Sequence, residues 1–181
     1  MARTLGVGAP TGIDLPGEAG GYLGTPAALG DQWYPGSTVL LGIGQGYLTT
    51  TPLQDARWTA GVATGALVTP HLGLSFGSGR APLTWPAPRQ LGLDLGPVRA
   101  GMRSAVTTGT ATMLASLPVA AGAKTGTAED PSAGGEGLDS WMSAVAPINA
   151  PSIEATAFIR GQGNGHPSSE VVRDALAYWL K

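Results

Sequence analysis

Lys124, Thr125 and Thr127 are the residues of this sequence whose types and spacing could do chemistry together. Only two lysines occur in 181 residues, and this one lies inside the small, apolar run Ala121-Gly122-Ala123-Lys124-Thr125-Gly126-Thr127-Ala128. Read as a strand entered from Leu117-Pro118-Val119-Ala120, the run has so little bulk that another extended backbone fits against it, a usual meaning of glycine within a strand. Side chains alternate at period two, so Lys124 and Gly126 share one face and Thr125 and Thr127 the other. A cation, two hydroxyls and free backbone N–H groups then converge on one extended anionic ligand, provided the strand is an edge and twists. The competing reading is a surface strand with a snorkelling lysine and β-favouring threonines. These residues alone leave the two readings level.

Other candidate groups carry less. Gly42, Gly44 and Gly46 are followed by no lysine and match neither nucleotide fingerprint, so a phosphate site is not expected there. Asp14 and Glu18 stand in the turn Gly12-Ile13-Asp14-Leu15-Pro16-Gly17-Glu18 and read as capping or water-facing carboxylates. His71 and His166 are the two histidines, beside proline or in a glycine-rich loop, with no further ligand at metal spacing; no metal and no cofactor is expected. Trp58 reads as a packing residue.

The elements that must position the lysine strand follow from local signals. Thr51-Pro52-Leu53-Gln54 forms a capping box with proline at the first helical position, which predicts a helix over 52–64 ended by Gly65. Its stripe is Leu53, Ala56, Ala60 and Ala63. Val98, Met102, Ala105 and Val106 predict a helix over 97–106, and a second short helix opens near 109–114. Residues 141–146 and 153–159 read as the next strands. A flexible acidic loop over 129–140 precedes them and a turn over 162–167 follows. Ser168 or Ser169 is expected to cap a last helix, whose apolar residues are Val171, Val172, Ala175, Leu176, Trp179 and Leu180. Helices, a strand meander and a terminal helix give the α+β class, an antiparallel sheet covered by helices. Residues 1–181 read as one unit: irregular and loop-rich over 1–50, helical with loops over 51–116, strand meander and C-terminal helix over 117–181.

Composition limits the alternatives. With 43% hydrophobic and 12% charged residues the chain is globular, while 29 glycines and 15 prolines make it rich in loops. A net charge of −2 and eight scattered arginines form no basic stripe, so no nucleic-acid partner is expected. The absence of cysteine excludes disulfides and thiolate metal sites. No apolar run reaches the length of a membrane span, and residues 1–6 lack the hydrophobic centre of a signal peptide, so any targeting segment is expected elsewhere. Residues 1–36 are mostly turn signals and read as a segment lying on something larger.

Five ordered segments carry a resemblance: Gly12-Ile13-Asp14-Leu15-Pro16-Gly17-Glu18, Trp33-Tyr34-Pro35-Gly36, Ile43-Gly44-Gln45-Gly46-Tyr47-Leu48, Thr51-Pro52-Leu53-Gln54 and Lys124-Thr125-Gly126-Thr127-Ala128-Glu129. In that order they resemble the class B penicillin-binding proteins, and most closely the C-terminal part of the elongation-type peptidoglycan D,D-transpeptidase domain. The family's Ser-x-x-Lys and Ser-x-Asn motifs have no match in this sequence, and only Lys-Thr-Gly does. The resemblance implies a partial penicillin-binding/β-lactamase-like transpeptidase fold. It gives Lys124 a catalytic role, as positive potential beside the nucleophile. Lys124, Thr125, Gly126 and Thr127 become the substrate-binding residues for a D-Ala-D-Ala stem peptide or a β-lactam, with the Thr127 N–H as one of two oxyanion donors.

It further implies an acyl-serine reaction completed by the missing N-terminal half of the domain, the chain alone being inactive. The implied setting is extracytoplasmic, on the periplasmic face of a bacterial inner membrane, anchored through a segment not present here, with a membrane glycosyltransferase of the elongation machinery as partner. Two alternatives stay open: a noncatalytic remnant or interaction module, and a related serine β-lactamase or carboxypeptidase. The sequence departs from the family pattern at Asp139-Ser140-Trp141-Met142 and at Gly161-Gln162-Gly163-Asn164-Gly165.

Overall fold

The computed structural model describes residues 2–76, 81–130, 132, 137–162 and 166–181. Over the first fifty residues, β1 (Tyr22–Leu23) pairs with β2 (Leu48–Thr49), and between them lie α1 (Pro26–Leu29) and α2 (Pro35–Gly42). Helix α2 departs from the loop-rich expectation for this stretch. Pro35 at its first position and Ser37 Oγ, which accepts from Tyr34 N at 3.3 Å, start a helix that the glycines beyond it end.

Helix α3 (Pro52–Thr64) has the predicted bounds. Thr51 Oγ1 accepts from Gln54 N at 3.2 Å and Gln54 Oε1 accepts from Thr51 N at 2.9 Å, so both arms of the capping box are present. Gly65, at φ +83°, closes the helix in the left-handed conformation that glycine adopts without strain. The residues it buries are Gln54, Gly61 and Ala63 rather than the whole predicted stripe. Gln54 is the anchor: only 1% exposed, its Nε2 donates to Ala9 O at 2.7 Å and to Gly20 O at 2.8 Å. Asp14 and Glu18 also tie loops together. Asp14 accepts from Leu72 N and Gly73 N at 2.8 and 2.7 Å, and Glu18 from Thr11 N and Gly12 N at 2.6 and 2.9 Å.

After α3 come the two-residue strands β3 (Ala66–Leu67), β4 (Ser75–Phe76), β5 (Ala81–Pro82) and β6 (Arg89–Gln90), paired β3 with β6 and β4 with β5. His71 stacks on Trp85 with ring centroids 4.5 Å apart. Helix α4 (Gly96–Thr107) buries Met102 and Val106 and leaves Val98 exposed. The expected second helix is a 3-10 turn over Thr112–Ser116.

The chain then forms an antiparallel sheet in the order β7 (Gly122–Glu129), β8 (Leu138–Ala146) and β9 (Ile153–Ile159), followed by α5 (Pro167–Trp179). Alternation splits the sheet into two faces. On one, Ala123, Met142, Ala144 and Ala157 pack with Val106, Leu114, Val172 and Leu176; on the other, Val145 packs with Ala63, Met102 and Ile148. Burying a leucine such as Leu114 or Leu176 contributes about 2–3 kcal/mol. A Cβ on Gly122 would lie 2.5 Å from Ile148 Cδ1, so a larger residue here would force the Ile148 side chain to shift. The result is the α+β arrangement expected, a sheet covered by helices.

Helix α5 corrects one expectation. Its N-cap is His166, at φ 52°, with Pro167 next, so Ser168 and Ser169 fall inside the first turn. Both are buried: Ser168 Oγ lies 2.7 Å from Ser140 Oγ, and Ser169 Oγ donates to Met142 Sδ at 3.3 Å. The acidic-loop residues Pro131, Gly134, Gly135 and Glu136, and Gly163, Asn164 and Gly165 of the last turn, lie outside the described residues. Among the described residues no helix is long and apolar enough to cross a membrane.

Candidate functional site

Strand β7 is a margin of its sheet, with β8 on one side and no strand of the described residues on the other. An open margin of this kind is a template for a further extended segment. Along it Lys124 and Thr127 are exposed and Gly126 is half-buried. Thr125 is turned inward. It is 8% exposed, with Oγ1 2.7 Å from Thr110 Oγ1. Lys124 Nζ donates to the carbonyl of Thr125. The structure therefore brings Lys124, Gly126 and Thr127 to the open side and holds the Thr125 hydroxyl behind them.

Two hollows flank this strand and meet at Trp58. One, about 870 Å³, runs along Gly126 and Thr127 and is walled by Leu40 and Ile43 of the segment before α3 and by Trp141 and Phe158 of the sheet. The other, about 490 Å³ and mostly apolar, lies between α3 and α4 and is lined by Val62, Met102, Ala105 and Lys124 among others. Trp141 sits opposite Gly126 in the β7–β8 register and packs on Phe158 at 4.4 Å between ring centroids. A Cβ on Gly126 would lie 3.1 Å from Trp141 Cβ, so the room that this glycine leaves is used partly by the indole. Gln54 holds one lining residue of the larger groove, Thr50, whose Oγ1 donates to Gln54 Oε1 at 3.2 Å.

Behind Lys124 lies a set of polar residues that the sequence did not single out. Lys124, Ser143 and Thr156 face one another in register across the three strands, and Asp55 in the first turn of α3 comes down on them. Ser143 Oγ lies 2.7 Å from Asp55 Oδ2 and 2.6 Å from Thr156 Oγ1, and Thr156 Oγ1 lies 2.6 Å from Glu154 Oε1. Burial pushes both carboxyls up. Glu154 rises from an ordinary 4.5 to about 7, with the charge of Asp55 adding to the effect and the Thr156 hydroxyl opposing it. Asp55 is raised by burial and drawn back by the Ser143 hydroxyl and the field of Lys124. The signals available in the sequence were Ser143, Glu154 and Thr156, polar residues inside the strands predicted over 141–146 and 153–159; Asp55 joins them from a separate helix.

A family model, the penicillin binding protein transpeptidase domain, matches residues 1–177. The peptidoglycan D,D-transpeptidase MrdA of Haemophilus influenzae is 28% identical over 207 residues, covering 98% of this chain and 32% of that protein. Among solved structures, penicillin-binding protein 2 of Pseudomonas aeruginosa in complex with WCK 5153 superposes with a TM-score of 0.82 at 27% identity, over 98% of this chain and 42% of that one. Penicillin-binding protein 2 of Helicobacter pylori in complex with MreC gives 0.80 at 26% identity, over 98% of this chain and 34% of that one. The chain thus spans about a third of the length of the curated relative that it matches along its whole extent.

Proposed function

Because this chain belongs to the penicillin-binding protein transpeptidase family, similar to the C-terminal part of its elongation-type members, we propose that it supplies the substrate-binding margin of a peptidoglycan D,D-transpeptidase. The observation that carries this reading is the open side of β7, where Lys124 and Thr127 stand exposed beside a groove. An extended stem peptide ending in D-Ala-D-Ala, or a β-lactam in its place, adds to β7 as a further strand, its affinity coming from main-chain hydrogen bonds.

Lys124 supplies positive potential near the attacking hydroxyl and the substrate carboxylate. Thr127 binds that carboxylate through its hydroxyl, and its N–H is one donor to the developing oxyanion; such a donor contributes on the order of 3 kcal/mol. Thr125 joins the carboxylate site by exchanging Thr110 for the ligand. Gly126 lets the substrate backbone come close. The nucleophilic serine and its activating base belong to polypeptide outside this sequence, which contains neither Ser-x-x-Lys nor Ser-x-Asn. By the same reading the site works on the extracytoplasmic face of the inner membrane, alongside a glycosyltransferase of the elongation machinery.

A fluorescent penicillin tests the proposal. No covalent label is expected on this chain alone, and stable label is expected on an N-terminal transpeptidase half when the two are mixed. Label on the isolated chain would contradict the reading. Label that forms on the pair and is quickly hydrolysed would make the assembly a β-lactamase, and no label on the pair would make this chain a noncatalytic module.

A further inference from the structure

The oxygens of Asp55, Ser143, Thr156 and Glu154 form a row of four with three contacts of 2.7, 2.6 and 2.6 Å. Each such contact is a hydrogen bond and holds one proton between its two oxygens. Ser143 and Thr156 have one hydroxyl proton each. If Ser143 donates to Asp55 and Thr156 to Glu154, the central 2.6 Å contact has no proton and sets two lone pairs against each other. The third proton must come from a carboxyl.

We propose that Asp55 and Glu154 share a single proton through the Ser143–Thr156 hydroxyl pair, so that this buried row carries one negative charge and acts as a positioning device for Lys124. With the proton at the Glu154 end, Glu154 donates to Thr156, Thr156 to Ser143 and Ser143 to the Asp55 carboxylate, and every contact is satisfied. Lys124, one strand across from Ser143, is the cation whose field reaches Asp55, and it fixes the charge at that end. Burial holds Glu154 protonated up to about 7, whereas at Asp55, which burial also raises, the Ser143 hydroxyl and the field of Lys124 pull back toward the charged form.

Among the described residues the other charged groups near this face have partners of their own. Arg57 of α3 gives its Nε to Val68 O at 2.6 Å, and on α4 Arg99 donates to Ala63 O at 3.2 Å and Arg103 to Ala121 O at 3.1 Å. Asp139, further along β8, accepts from Gly161 N at 2.9 Å, and α5 packs on the opposite face, where Arg173 pairs with Asp174 at 2.8 Å. Losing the shared proton places a second negative charge behind Lys124 and leaves the Ser143–Thr156 contact without a bond. The cation is then drawn toward the sheet interior, away from the margin of β7.

Infrared and carbon-13 NMR measurements on the full chain decide the matter without any variant. At about pH 6 one protonated buried carboxyl is expected, lost with a midpoint near about 7. The chain has only two lysines, so selective labelling gives two signals. The Lys124 ε-methylene should follow the same midpoint while Lys181 does not move. Glu154→Gln, whose amide still donates to Thr156, should abolish the step. Asp55→Asn should lower the midpoint of Glu154, because it removes a like charge. Two ionised carboxyls at about pH 6, or a Lys124 signal flat through the step, would overturn the proposal. These readings concern this chain alone, so a failure of penicillin labelling would leave them standing, and their failure would leave the transpeptidase reading intact.

Discussion

Thr125 and Thr127 differ by two positions and share a parity, yet one is held by Thr110 and the other faces the groove. Replacing each by valine should separate their roles. Thr125→Val leaves the Thr110 hydroxyl without its partner and should lower stability by about 1 kcal/mol, read from chemical denaturation. Thr127→Val should leave the midpoint within about 0.5 kcal/mol of the parent. The short-range chemistry at Gln54 was legible, because a capping box spans four residues. Its second use was not, since the carbonyls of Ala9 and Gly20 are 45 and 34 positions away. Gln54→Ala removes bonds at both ranges and should cost about 2–4 kcal/mol in the same assay. Ser168 and Ser169 show the converse. Their type suggested a cap, but Pro167 claims the first helical position and turns them into the core.

At the scale of elements, helical spacing in α5 was readable and its depth of burial was not. Periodicity tells which residues share a face, and only packing tells whether that face is covered. Val172 and Leu176 are buried against the sheet, while Trp179 is 63% exposed and Tyr178 77%. Leu176→Ala should therefore destabilise this chain by about 3 kcal/mol. Trp179→Ala should change it by less than about 0.5 kcal/mol, measured side by side. Strand bounds came out well for β9, whose β-branched and apolar residues are flanked by Pro151 and Gly161. Helix α2 was missed because its glycines resemble loop punctuation, whereas Pro35 sets its start.

For the whole molecule, the α+β order was readable from the alternation of periods, while the row of hydroxyls and carboxyls depends on β8, β9 and α3 coming together. That row also governs how stability responds to pH. Glu154 rises from 4.5 to about 7 on folding, so the stability it contributes is fully present below 4.5 and is lost as pH climbs through about 7. The change is on the order of 3 kcal/mol. Asp14, held down by the N–H groups of Gly73 and Leu72, and Asp130, held down by Ser132 and Arg160, act the other way and lose their contribution as pH falls through the carboxylate range. Thermal melting should accordingly peak near about pH 5 and decline toward pH 8, and Glu154→Gln should flatten the decline.

On the proposed reading, the exposed cation on the open side of β7 serves a reacting serine brought by another part of the domain. The rate of acylation by a β-lactam, measured on this chain combined with an N-terminal half, tests it most directly. With Lys124→Ala the second-order rate constant should fall by at least about 100-fold while the pair still assembles. An unchanged rate in that variant would contradict the account.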